Sequence, residues 1–117
     1  MVVPKPGRRV RGSETGRPIM AALDLLGRRW TLRVLWELRE KELTFRELQE
    51  ACGGMSPSVL NQRLRELKSG GIVANGEAGY GLTANGKELI DVLRPLHAWS
   101  ERWSKAVEKK QGHLAGL

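Results

Sequence analysis

The sequence is poor in the residues that build metal centres, disulfides and catalytic sites. Cysteine occurs once, at Cys52, and histidine twice, at His97 and His113. A single cysteine cannot form an internal bridge, and these three side chains lack the spacing of metal ligands. The sequence also has no glycine-rich phosphate loop, no Ser-His-Asp set and no facing carboxylate pair. We therefore predict no metal, no cofactor, no catalytic residue and no enzyme activity, and we expect Cys52 to act as a small buried hydrophobe.

Long hydrophobic runs are lacking as well. No apolar stretch approaches the ~20 residues that a membrane-spanning helix needs, and the charged N-terminus lacks the apolar segment of a secretion signal. A chain of 117 residues is long enough to bury one modest core. The sequence thus predicts a cytoplasmic protein with one folded domain and no membrane partner.

Positive charge is abundant and unevenly distributed. Twenty Lys and Arg against 13 Asp and Glu give a formal net charge of +7. Residues 1–17 are rich in Pro, Gly and Arg and include Arg8, Arg9 and Arg11. We interpret 1–17 as a flexible basic arm and 18–117 as the folded domain. The basic excess suits a polyanion, nucleic acid before an anionic membrane, and the competing interpretation is a solubilising tail.

Capping signals and apolar periodicity predict two helices after the arm. The first begins at Pro18 and ends at Gly27, which we expect in the left-handed C-cap conformation. The second runs from about Thr31 to Glu40, and its predicted inward side consists of Leu32, Leu35, Trp36 and Leu38.

A helix-turn-helix is predicted next. The segment Thr44–Glu47 has the capping-box pattern and opens a short helix that ends at Cys52, before two glycines. Ser56-Pro57 then supplies an N-cap and a first-turn proline for a helix that reaches about Ser69. Three leucines spaced by four and three residues form its buried side: Leu60, Leu64 and Leu67.

The pattern then changes to a hairpin and one longer helix. Ile72-Val73 and Tyr80–Leu82 flank a turn-rich segment and predict two short strands. Thr83 can cap the last helix, which Pro95 should kink or split. A helix-turn-helix followed by a hairpin predicts a mostly α fold with a small β-hairpin, that is, a winged helix-turn-helix with a helix on either side.

The second helix of this unit carries the candidate contacts to DNA. If its leucines face inward, polar side chains suited to base edges face outward, since Asn and Gln pair with adenine and Arg pairs with guanine. Arg63 lies nearer the buried edge and suits phosphate equally well. The competing interpretation is an ordinary solvated helix face. The predicted DNA-binding residues, counting the arm, are Ser56, Ser58, Asn61, Gln62, Arg63, Arg65, Arg8, Arg9 and Arg11.

Several segments in order resemble the HxlR family of bacterial winged-helix transcriptional regulators. The run 26–38, Leu-Gly-Arg-Arg-Trp-Thr-Leu-Arg-Val-Leu-Trp-Glu-Leu, is similar to the Gly-Lys-Trp-Thr signature of the family's second helix. Phe45–Leu48 resembles its Arg-Phe-Ser-Glu-Leu segment, and 56–67 resembles its recognition helix. Residues 80–89 resemble the Tyr-x-Leu-Thr-x-x-Gly-x-x-Leu segment that closes the wing. Trp99 falls where the family often has a tryptophan, and the resemblance covers about residues 18–103.

The resemblance implies a homodimer whose first and last helices pack across a two-fold axis on an inverted-repeat operator in double-stranded DNA. The residues themselves point the same way, because a short chain has limited room to bury a helix stripe bearing Trp99 and Trp103. The competing interpretation is that this stripe folds onto its own domain. The predicted interface residues are Ile19, Leu23, Leu96, Trp99 and Trp103.

The chain departs from the family pattern at two places. Many members have a cysteine before the proline of the first helix, and some use it as a thiol sensor, whereas this chain has Arg17 there. Thiol sensing by that route is therefore not expected. The wing tip 75–79 is short and contains no Lys or Arg, so we expect weak contacts from the wing, with the basic arm taking over that role.

Two other functions fit a winged helix. A protein-binding adaptor is one, although an adaptor more often presents apolar residues than Asn61, Gln62 and Arg65 on this helix. A repressor of the MarR or PadR kind, controlled by a small-molecule effector near Trp36 or Trp99, is the other. For the DNA-binding regulator we expect location in the bacterial cytoplasm, in association with the nucleoid.

Overall fold

The computed structural model describes residues 17–115, and for 112–115 the backbone alone. Within these residues, five helices and a two-stranded antiparallel sheet follow one another, which confirms the predicted fold class. The elements are α1 (Pro18–Leu26), α2 (Thr31–Glu37), α3 (Phe45–Ala51), α4 (Pro57–Ser69), β1 (Val73–Asn75), β2 (Tyr80–Leu82) and α5 (Ala84–Ala115). The chain forms two compact units, one extending to Lys87 and the other starting at Glu88.

The first unit has one apolar core, to which α1–α4 and the sheet all contribute. In α2 the buried side chains are Thr31, Val34 and Leu35, with Leu38 just after the helix. This is the i, i+3, i+4, i+7 spacing of one helix face, but it starts at Thr31. The predicted inward side was therefore partly wrong: Leu32 is 41% exposed and Trp36 only half-buried.

Helix α2 is also shorter than predicted, because the residues after it lead into a bridge with the hairpin. Leu43 exchanges two backbone hydrogen bonds with Tyr80, at 3.0 and 2.8 Å, and forms an isolated bridge beside the hairpin. The segment before Leu43 must therefore leave the helical conformation, and α2 ends at Glu37 rather than Glu40.

The connection between α1 and α2 corrects a second expectation. Gly27 ends α1 as predicted, but with φ −78° and ψ −6°, in the right-handed region. The left-handed residue is Trp30, which has φ 76° and precedes the first turn of α2. A bulky residue rarely adopts this conformation, so surrounding contacts must hold it there.

The hairpin and the last helix follow the predicted order. Val73 pairs with Leu82 and Asn75 with Tyr80, so β1 begins one residue later than predicted. The Thr83 hydroxyl accepts a hydrogen bond from the Gly86 amide at 3.1 Å, as expected of a cap, and also donates to the Gly71 carbonyl at 2.7 Å. Pro95 does not split α5, which is continuous over 32 residues.

Candidate nucleic-acid interface

The helix-turn-helix is held by short-range hydrogen bonds around α3. The Thr44 hydroxyl accepts from the Glu47 amide at 3.1 Å, and the Glu47 carboxylate accepts from the Thr44 amide at 2.9 Å, so the predicted capping box is confirmed. The bond from the Thr44 amide is the main cause that lowers the pKa of the Glu47 carboxyl. These bonds fix the direction in which α3 starts.

The turn between α3 and α4 depends on two glycines and one side chain. Gly53 and Gly54 have φ 74° and 76°, a conformation that other residues rarely adopt. The Gln49 side-chain amide donates to the Met55 carbonyl at 2.9 Å across the turn. The turn therefore sets the angle at which α4 leaves α3.

Helix α4 is fixed from its inner side. Leu60, Leu64 and Leu67 are at most 2% exposed, as the leucine spacing predicts. Ser56 stands at the N-cap position, but its side chain does not cap the helix. Its hydroxyl lies 3.0 Å from that of Ser58 instead.

The outer side of α4 is polar and open to solvent. Ser56, Ser58, Asn61 and Arg65 are all exposed. These exposed side chains offer neutral hydrogen-bond donors and acceptors and one guanidinium. They can approach base edges and phosphates without any unfolding of the helix. The spacing of three and four residues places Ser58, Asn61 and Arg65 on one exposed face of α4, with Ser56 just before the helix, and their contact with DNA stays a prediction.

Of the other two predicted residues of α4, Gln62 is less exposed than expected of an outward residue, and Arg63 lies near the buried edge as expected. Gln62 and Arg63 are half-buried, and both interact with Glu66. The Gln62 amide donates to the Glu66 carboxylate at 3.1 Å, and an Arg63 guanidinium nitrogen lies 3.1 Å from its other oxygen. Arg63 can therefore contact phosphate only by weakening a largely buried ion pair.

Sequence reasoning missed Glu66, although a signal was present. Its side chain is 2% exposed and also pairs with Arg28, at 2.6 Å. Gln62 and Arg63 stand four and three residues before it, the spacing at which helical side chains meet. Arg28 is 38 residues away, and no local pattern indicates that contact.

The wing is fixed to the body by an acidic side chain. The Glu42 carboxylate accepts a hydrogen bond from the Ala78 amide at 2.9 Å. Gly79, with φ 147°, lies so close to the Leu43 carbonyl that a Cβ there would overlap it. An open cavity of about 410 Å³ lies between the start of α3 and the wing tip. The wing tip therefore presents carboxylate and backbone atoms rather than cations.

The predicted interface residues are exposed in both units. On α1 these are Ile19 and Leu23, and on α5 Leu96, Trp99 and Trp103, all between 49 and 59% exposed. Val92 belongs to the same apolar stripe of α5 but not to the predicted interface residues, and it is 68% exposed. The rings of Trp99 and Trp103 are stacked, with centroids 5.5 Å apart and planes 7° apart. In each unit taken by itself, exposed large apolar side chains of this kind are typical of protein–protein contact surfaces, and the dimer interface stays a prediction.

Metal sites and membrane-spanning helices are features of other protein classes. No group of three or more His, Cys, Asp or Glu side chains in that part of the chain could hold a metal ion. No helix within it is long and apolar enough to cross a membrane. Cys52 is buried, and this burial is the main cause that raises the pKa of its thiol. Arg8, Arg9 and Arg11 lie outside the described residues. The side chain of His113 lies outside them as well.

Comparison with known proteins agrees with this geometry. A family model described as HxlR-like helix-turn-helix matches residues 25–108. The HTH-type transcriptional regulator YvaP of Bacillus subtilis is 30% identical over 89 residues, which are 70% of this chain and 82% of YvaP. An HTH-type transcriptional regulator of Synechocystis is 34% identical over 99 residues, 77% of this chain and 73% of that protein.

Solved structures show the same fold. The quinone-bound YodB of Bacillus subtilis is 31% identical, with a TM-score of 0.66 over 72% of this chain and 96% of YodB. A MarR-family transcriptional regulator from Enterococcus faecalis is 27% identical, with a TM-score of 0.67 over 87% and 99% of the two chains. The resemblance noted in the sequence is thereby confirmed, as is the expectation of a regulator rather than an enzyme. The chain belongs to the HxlR-like helix-turn-helix family of DNA-binding transcriptional regulators.

Proposed function

We propose that the protein is a homodimeric regulator that recognises a specific sequence in double-stranded DNA by placing α4 in the major groove. The observation that carries this proposal is the division of α4 into two faces. Leu60, Leu64 and Leu67 are buried, while Asn61 and Arg65 on the other side are exposed. A helix held in this way can offer a rigid polar surface to base edges, which is how a recognition helix works. Such a regulator acts in the cytoplasm, at the nucleoid.

The exposed apolar side chains support the dimer. We place the interface on Ile19 and Leu23 of α1 and on Leu96, Trp99 and Trp103 of α5. Tryptophan is enriched in protein interfaces, where its large ring leaves water. A two-fold dimer presents two copies of α4, and the operator is then an inverted repeat.

Phosphate contacts by residues 1–17 are part of the proposal. We expect that removal of these residues lowers affinity for all duplexes and leaves base preference largely intact, because arginines bind phosphates without regard to sequence. Titrations at several salt concentrations measure this, since each lost phosphate contact flattens the slope of log K against log salt by ~0.9. Replacing Arg8, Arg9 and Arg11 by Gln in the full chain is the matched variant that removes charge alone. An unchanged salt slope in both variants would make residues 1–17 a solubilising tail.

Control by a small-molecule effector is a second candidate, supported by the quinone in the related YodB structure. A route through the thiol of Cys52 is not part of it, because that thiol is buried at 1% exposure. We expect iodoacetamide to alkylate Cys52 far more slowly in the native protein than in the urea-unfolded chain, since burial and a raised pKa both reduce reactive thiolate. Mass spectrometry over time measures both rates. Equal rates would return Cys52 to consideration as a sensor.

The proposal as a whole is tested by competition binding. A labelled duplex containing a preferred site should resist an excess of random duplex by ~10³-fold or more, the usual ratio of specific to non-specific affinity. Single-stranded DNA of the same sequence should compete poorly, because it lacks the groove in which α4 fits. A protein that binds all duplexes alike, or none, would favour the adaptor function instead.

A further inference from the structure

The most buried charged side chain described in the helix-turn-helix belongs to Glu66, in the recognition helix itself. Its carboxylate is 2% exposed and has three neighbours: Arg28 at 2.6 Å, Gln62 at 3.1 Å and Arg63 at 3.1 Å. A buried ion pair contributes little to stability compared with apolar side chains of the same volume. Stability alone therefore gives weak reason for a carboxylate here.

Arg28 holds this carboxylate from outside the helix-turn-helix. It belongs to the connection between α1 and α2, and it also pairs with Asp24 of α1 at 3.3 Å. The Arg28 side chain is only 11% exposed. A guanidinium held between two carboxylates has little freedom to move. The Glu66 carboxylate is therefore held from two sides, by Arg28 and by Arg63 of its own helix.

The chemistry of the contact fixes the orientation of the Gln62 amide. A carboxylate has no hydrogen to donate, so it can bind Gln62 only through the amide nitrogen. The amide oxygen of Gln62 is then turned away from Glu66, and one N–H remains for another partner. An oxygen acceptor beside an N–H donor is the pair that matches N6 and N7 of adenine.

We propose that Glu66 is a positioning residue that sets the base preference of Gln62 by holding its amide in the orientation suited to adenine. This inference rests on the proposed function, because it concerns how α4 recognises its operator. Without Glu66 the amide can rotate, and DNA binding must then order it. Ordering such a side chain typically reduces preference by roughly two- to tenfold.

The test is a double-mutant cycle read as base preference at each operator position. Gln62→Ala should lose preference at one A·T pair, by roughly 5- to 150-fold. Glu66→Met, which is similar in length but cannot accept the hydrogen bond, should reduce preference at that same pair. Glu66→Gln, which keeps an acceptor oxygen, should retain most of it. In the Gln62→Ala background, Glu66→Met should have no further effect on preference, whereas a merely structural role would weaken binding to all sequences in both backgrounds. Glu88→Met, at an exposed carboxylate outside the helix-turn-helix, is the matched control.

A second measurement serves if Glu66→Met does not fold. In the NMR spectrum of the free wild-type protein, one of the two Gln62 side-chain amide protons should exchange slowly with solvent and be shifted downfield. Two protons with the values of an exposed glutamine would overturn the inference. The inference would also be overturned if Gln62→Ala removed the base preference and Glu66→Met left it intact. That result would leave the proposed function unaffected. A wild-type protein without any base preference would overturn the proposed function, and this inference with it.

Discussion

Replacing Trp103 by glutamate should convert the proposed dimer into a monomer at micromolar concentration. Trp103 is 54% exposed in the single chain and stacks on Trp99. If the stripe of α5 is covered in the dimer, the carboxylate enters an apolar surface without a partner. Leaving a charge in such a place costs about 3 kcal/mol or more, which raises the dissociation constant more than ~100-fold.

Analytical ultracentrifugation measures this effect directly. The wild type should sediment with twice the chain mass of 13.1 kDa, and the variant with the mass of a single chain. Ser104→Glu adds the same charge at an exposed position one residue further along and should leave the dimer intact. A wild-type protein that is monomeric at micromolar concentration would contradict the proposed interface and remove the reason to expect a symmetric operator.

Alanine at Asn61 or Arg65 should abolish discrimination at a defined base pair while the protein folds normally. Both side chains are exposed, and substitutions at such positions usually change stability by less than ~0.5 kcal/mol. A lost bidentate contact with a base costs roughly 1–3 kcal/mol of discrimination. The effect of Gln62→Ala is harder to interpret, because this variant also removes the hydrogen bond to Glu66.

Binding to duplexes with single base changes, compared with binding to non-specific DNA, measures these losses. Leu64→Ala is the control for structural damage, because Leu64 is buried and its truncation should destabilise the fold by ~2–5 kcal/mol. That variant should lose specific and non-specific binding together. If alanine at Asn61, Gln62 and Arg65 left operator preference unchanged, α4 would not read bases and the adaptor function would take first place.

The sequence predicts best those features that depend on near neighbours in the chain. The capping box of Thr44 and Glu47, the glycine turn and the leucine face of α4 each need contacts within a few residues. The residue types at these positions are characteristic of a capping box, a glycine turn and a buried helix face, so each feature can be predicted from a short segment. The recognition helix and its outward residues Ser58, Asn61 and Arg65 are therefore predictable from the sequence alone.

Features set by distant contacts could not be predicted in the same way. The pairing of Leu43 with Tyr80 shortens α2, and the ion pair of Arg28 with Glu66 spans 38 positions. The left-handed Trp30 is likewise held by its surroundings and not by its own preference. Pro95 removes one backbone donor, yet α5 continues on both sides of it.

Selection of bound sequences from a pool of random duplexes tests the central claim most directly. A two-fold dimer with one α4 per subunit should enrich an inverted repeat whose half-sites lie about one helical turn, ~34–36 Å, apart. The same selection with Arg65→Ala should give a motif that has lost information at one position in each half. Enrichment of no motif, or of a single asymmetric half-site, would contradict the account.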